Sequence, residues 1–143
     1  MKAFAFSLLA LAIPVWTTNA QRPDPAKLVG RWSGTGTFFS ADLRKKVDSI
    51  PFELEIDSDR SGKGRVGEVA LRDVLVKPSR NYVEIRGRLA RPISSDPALA
   101  KDRVVFVITA LGDSTMNAEF HLKTNVVYDL TMREGRVMLT RMR

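Results

Sequence analysis

The sequence predicts an all-β fold: an antiparallel up-and-down barrel of eight or nine strands, with a β-sandwich as the alternative and one short helix near 96–101. Three observations lead there. Apolar and polar residues alternate along most of the chain beyond residue 27, and only an extended strand turns successive side chains to opposite faces. Turn-forming clusters, Arg60-Ser61-Gly62, Pro78-Ser79-Arg80-Asn81, Leu111-Gly112-Asp113-Ser114, Lys123-Thr124-Asn125 and Arg133-Glu134-Gly135, fall between the short alternating runs. The length, 143 residues, suits one domain around one core and excludes a two-domain enzyme or a large α/β fold.

Residues 1–20 predict a signal peptide. Lys2 is their only charge, residues 3–15 are apolar or small, and Ala20 offers a small residue for cleavage before Gln21. The apolar run is shorter than the ~20 residues a bilayer-spanning helix needs, so no transmembrane span is expected after cleavage. Residues 21–27 form a Pro-containing N-terminal linker, and 28–143 a single barrel domain. The chain has no Cys, which excludes disulfides, thiol catalysis and Cys-ligated metals. It also lacks an Asn-x-Ser/Thr acceptor, so an exported chain of this kind fits a bacterial periplasm, or secretion from a bacterium.

The strands follow in order. Phe52, Leu54 and Ile56 alternate with Glu53, Glu55 and Asp57; Val83, Ile85 and Leu89 with Glu84, Arg86 and Arg88. Met116, Ala118, Phe120 and Leu122 alternate with Asn117, Glu119, His121 and Lys123, and Val126, Tyr128, Leu130 and Met132 continue the pattern before a last strand through Val137 and Leu139. Val104 to Ile108 is apolar on both faces, which suits a strand covered on both sides or lying along an interface. At Asp96-Pro97, an N-capping carboxylate followed by a proline at the first helical position predicts the short helix.

The opening strand contains Gly30-Arg31-Trp32, and the last strand ends in Arg141 and Arg143. This Gly-x-Trp start with a terminal Arg resembles the calycins, the lipocalins and fatty-acid-binding proteins among them. The resemblance implies that Trp32 sits at the closed end of a barrel with an Arg from the last strand, Arg141 or Arg143, across its indole. It also implies a non-catalytic role in which a small apolar or amphipathic ligand lies among Phe38, Phe52, Phe106, Phe120 and Tyr128, with Arg141 available to a carboxylate. Trp32 in the core of another sandwich is the alternative. Those aromatics could equally fill the barrel as a solid core.

Three motifs point toward chemistry, and their context argues against each. Residues 57–68 have the spacing of a calcium loop, but a strand precedes them and Arg60, Lys63 and Arg65 offset the ligand charge; a hairpin turn is expected. Gly112-Asp113-Ser114 resembles an esterase nucleophile, yet that chemistry needs a His and an orienting Asp, and His121 has no Asp three residues before it. His121, the only imidazole, is expected to be exposed on its strand. No catalytic residues, metal or cofactor are therefore expected.

Charge is the remaining signal. The chain carries 23 Lys and Arg against 16 Asp and Glu. Residues 42–59 hold six acids and three bases, whereas Arg72, Lys77, Arg80, Arg86, Arg88 and Arg91 outnumber Asp73 and Glu84 across 72–91. The second expectation for function is therefore an interaction module: a filled barrel whose arginine-rich face meets an anionic envelope component or an acidic protein. A solvated face is the plain alternative. Export, and aromatics that are not interleaved with these cations, argue against nucleic acid.

Overall fold

The computed structural model describes residues 22–123 and 133–143. It is a closed eight-stranded barrel in which each strand pairs antiparallel with the next and the last pairs with the first. The strands are β1 (Gly30–Phe38), β2 (Ile50–Ile56), β3 (Ser61–Val66), β4 (Val69–Pro78), β5 (Val83–Leu89), β6 (Arg103–Leu111), β7 (Thr115–Lys123) and β8 (Gly135–Arg141). This is the predicted up-and-down barrel, and the sandwich alternative is excluded by the β1–β8 ladder. The run Val126 to Met132, with Tyr128, lies outside the described residues, as does the predicted signal peptide.

Alternation in the sequence becomes inside and outside. Phe52, Leu54 and Ile56 are buried while Pro51 and Glu53 are exposed. Phe38, Phe52, Phe106 and Phe120 are each at most 1% exposed. Phe52 meets Phe120 in a tilted contact at 5.2 Å, while Phe52 with Phe106 and Phe38 with Phe120 meet edge-on, each at 5.5 Å. Such edge-to-face contacts are favourable for aromatic quadrupoles. Gly36 explains how Phe52 fits: a β-carbon there would lie 2.4 Å from its ring. The both-sided apolar strand is β6, where Val105 on the outer face is only 7% exposed.

The two ends of the barrel differ. One end holds the tight hairpins after β2, β4 and β6. The other holds the longer connections after β1 and β5, together with the hairpin after β3. The helix forms there, at α1 (Ala41–Lys46), capped by Ser40, whose hydroxyl accepts from the Leu43 N–H. The predicted helix at 96–101 is instead a single turn. Asp96 caps it as expected, accepting from the Ala98 N–H, but only the Leu99 N–H to Asp96 O bond follows. Leu99 then turns fully into the core, and that anchor replaces further helix.

Lys46 of α1 lies 2.9 Å from Asp96 and ties the helix to this turn. The Lys46 ammonium, then the Ala98 N–H, hold the Asp96 carboxyl below its usual range. A carboxylate with a lowered folded pKa stabilises the fold above its unfolded pKa of ~3.9, and that contribution is lost as pH falls through the folded value. Asp96→Asn is therefore expected to melt below the parent at neutral pH. The two melting temperatures should converge as the pH is lowered to roughly 2, where the parent carboxylate is protonated as well.

Candidate functional site

At the hairpin end, Trp32 is fully buried and pairs in register with Arg141. The Arg141 guanidinium lies 4.3 Å from the indole centroid. Its Nε donates to Asp113 O, its Nη1 to Val29 O and its Nη2 to Lys27 O, at 3.0, 2.6 and 2.7 Å. The Trp32 Nε1–H donates to Leu28 O. The expected linker thus ends in a 3-10 turn, Pro25–Leu28, held against the barrel by this pair. Gly30, at φ +133°, is required here, because a β-carbon would lie 2.6 Å from Arg141 Nη1. Arg141 therefore sits at the closed end with each guanidinium nitrogen engaged, rather than beside the phenylalanines. Arg143 follows the last strand and is exposed.

The two motif candidates become hairpins. Asp57 to Arg60 turns β2 into β3, with Asp59 accepting from the Ser61 N–H and hydroxyl. Gly112-Asp113-Ser114 turns β6 into β7 and supplies carbonyls to Arg141 through Asp113 and Ser114. His121 departs from expectation. Its side chain is 17% exposed, and Nδ1 lies 3.1 Å from Glu134 Oε1, a carboxylate that also pairs with Lys101 at 3.2 Å. The two come together because Glu134 immediately precedes β8, whose Gly135 pairs with Phe120.

The outer surface separates the six cations of the predicted anion-binding face. Arg86 is bonded to Glu84 at 2.8 Å, and Lys77 stands opposite that same carboxylate. Arg80 lies in the hairpin between β4 and β5, and Arg91 lies beyond β5, at the rim with the long connections. Arg72 and Arg88 remain, and they are direct cross-strand partners. Arg88 in turn pairs with Arg103, and Arg103 with Lys123. Four cations thus stand side by side across β4, β5, β6 and β7, spaced by the ~4.8 Å between neighbouring strands.

A bulge in β4 creates this row. Between Pro78↔Val83 and Leu75↔Arg86 the ladder is regular, and its continuation would set Asp73 opposite Arg88. One extra residue shifts the register so that Arg72 takes that place, with Asp73 at φ +52°. Like charges directly opposite on a sheet are destabilising, so the bulge replaces an attractive pair with a repulsive one. On the opposite wall the charges alternate: Arg31 pairs with Glu55 and Glu55 with Lys63, while Glu53 pairs with Arg65. Among the described residues, Arg72, Arg88 and Arg103 form no ion pair.

A cleft of about 260 Å³ lies at the rim with the long connections. Ile50, Val66, Val69 and Ile93 line it together with Glu68 and Arg91. Among the described residues, no helix is long and apolar enough to cross a membrane, and no group of three or more His, Asp or Glu is placed to hold a metal. Comparison of the chain with protein-family models, with curated proteins and with solved structures finds no match.

Proposed function

We propose that this protein is an exported, non-catalytic interaction module: a calycin-like barrel filled by its own side chains, which docks an anionic partner on the cation row Arg72–Arg88–Arg103–Lys123. The observation that carries this reading is the row itself. A β-bulge at Asp73 brings Arg72 opposite Arg88, where Asp73 would otherwise stand. Phosphates or carboxylates bridging neighbouring guanidiniums would relieve the repulsion and be held by paired N–H donors. Mutual contact among Phe38, Phe52, Phe106 and Phe120 supports a filled interior over a ligand-holding one.

Binding of polyphosphate and of poly-glutamate tests this. The parent is expected to bind at low salt and to release at 0.5 M, where the Debye length shrinks to roughly 4 Å. Arg72→Ser with Arg88→Ser is expected to weaken binding at least about tenfold. Arg31→Ser with Arg65→Ser removes the same charge from the opposite wall and should change binding far less. Equal losses from the two double variants would mean that net charge alone is recognised, and the row would have no special role.

A further inference from the structure

We propose that the rim cleft is a separate binding site for an apolar α-amino acid. Its size sets the scale. Sites for drug-sized molecules begin at ~300 Å³, and this cleft holds about 260 Å³, room for a ligand of amino-acid size and too little for a long acyl chain. Its chemistry sets the class. Ile50, Val66, Val69 and Ile93 supply its apolar lining. Arg91 and Glu68 both line the cleft, and among the described residues neither forms an ion pair. A guanidinium, a carboxylate and an apolar lining complement a carboxylate, an ammonium and an apolar side chain.

The backbone holds both charged residues in place. Val66 pairs with Val69, so Gly67 and Glu68 form a two-residue hairpin turn. Gly67 supplies the positive φ of +61° at its first position, as such turns require. The Gly67 N–H donates to Pro51 O and fixes the hairpin against β2. Just before Arg91, the Ala90 N–H donates to Ala70 O and the Leu89 N–H to Asp102 O. The backbone leading into both positions is thus anchored to the barrel wall, and only the two exposed side chains would be ordered by a ligand.

The test is a titration of the 15N-labelled protein with L-phenylalanine, followed through backbone amide shifts. Saturable shifts confined to Ser49, Gly67, Glu68, Arg91 and Ile93 are expected, with a Kd on the order of 0.1–1 mM. N-acetylphenylalanine lacks the ammonium and phenylalanine amide lacks the carboxylate; each should bind about tenfold more weakly. Arg91→Gln should abolish the preference for phenylalanine over its amide, and Glu68→Gln the preference over the acetylated form. Both residues are exposed, so the folded spectrum should persist. Absence of saturable shifts, shifts elsewhere, or affinities indifferent to ligand charge would overturn the proposal. The Arg72→Ser, Arg88→Ser variant should bind phenylalanine as the parent does, so this site can fail or stand independently of the cation row.

Discussion

Replacing Trp32 with alanine is expected to lower the unfolding free energy by about 3–5 kcal/mol, with an unchanged denaturant slope. The indole is fully buried, so its removal leaves a void at the closed end. It also takes away the surface against which Arg141 rests at 4.3 Å, a cation–π contact of about 0.5–2 kcal/mol. Urea titration of Trp32→Ala, Arg141→Met and the double variant separates the two contributions. Because the side chains touch, the double variant should lose less than the sum of the single losses. Additive losses would mean that Trp32 acts only by filling volume. Near-parent stability of Trp32→Ala would show that closure does not depend on this residue.

Phe52→Ala is expected to be comparably costly, about 3–5 kcal/mol. Phe52 touches two other rings and lies over Gly36, so the wall cannot collapse to fill the space without moving β1. The void would be apolar, and an apolar void of this kind stays dry and accepts benzene. Benzene should therefore raise the melting temperature of Phe52→Ala, in proportion to its occupancy, and leave the parent unchanged. A loss below about 1 kcal/mol would show slack among the rings, and a benzene response in the parent would show a cavity already present. Either result would return attention to the barrel interior as a ligand site.

The barrel was legible because its information is local. Phe52 to Asp57 alternates residue by residue, and each hairpin turn is marked by its own Gly, Asp or Asn. The Trp32–Arg141 pairing, though distant in sequence, was legible through the Gly-x-Trp start and the terminal Arg. The cation row was only half legible. Arg72 and Arg88 could be noticed as neighbours in a basic segment, but Arg103 and Lys123 join them through register, which composition does not carry. One signal did mark the shift: Arg72 and Asp73 are consecutive polar residues between inward-facing Leu71 and Val74, a break in alternation that requires a bulge. The short helix was misplaced because Asp96-Pro97 is a helix start with no apolar periodicity behind it. Leu99 turns inward after one turn, whereas Ser40 caps a segment that continues through Arg44, Lys45 and Lys46.

Closure by β1 and β8 also governs the order in which the molecule can form. The bond from Arg141 to Val29 spans 112 positions, and every β1–β8 rung joins residues roughly 100 positions apart. A nascent chain that has not yet released β8 leaves β1 and β7 each with an unpaired edge, the kind of edge that recruits strands from other molecules. Contacts so distant in sequence form late and slowly. The eighth strand is thus the one that converts an open-edged sheet into a sealed ring, and until it pairs both edges stay open to strands of other chains.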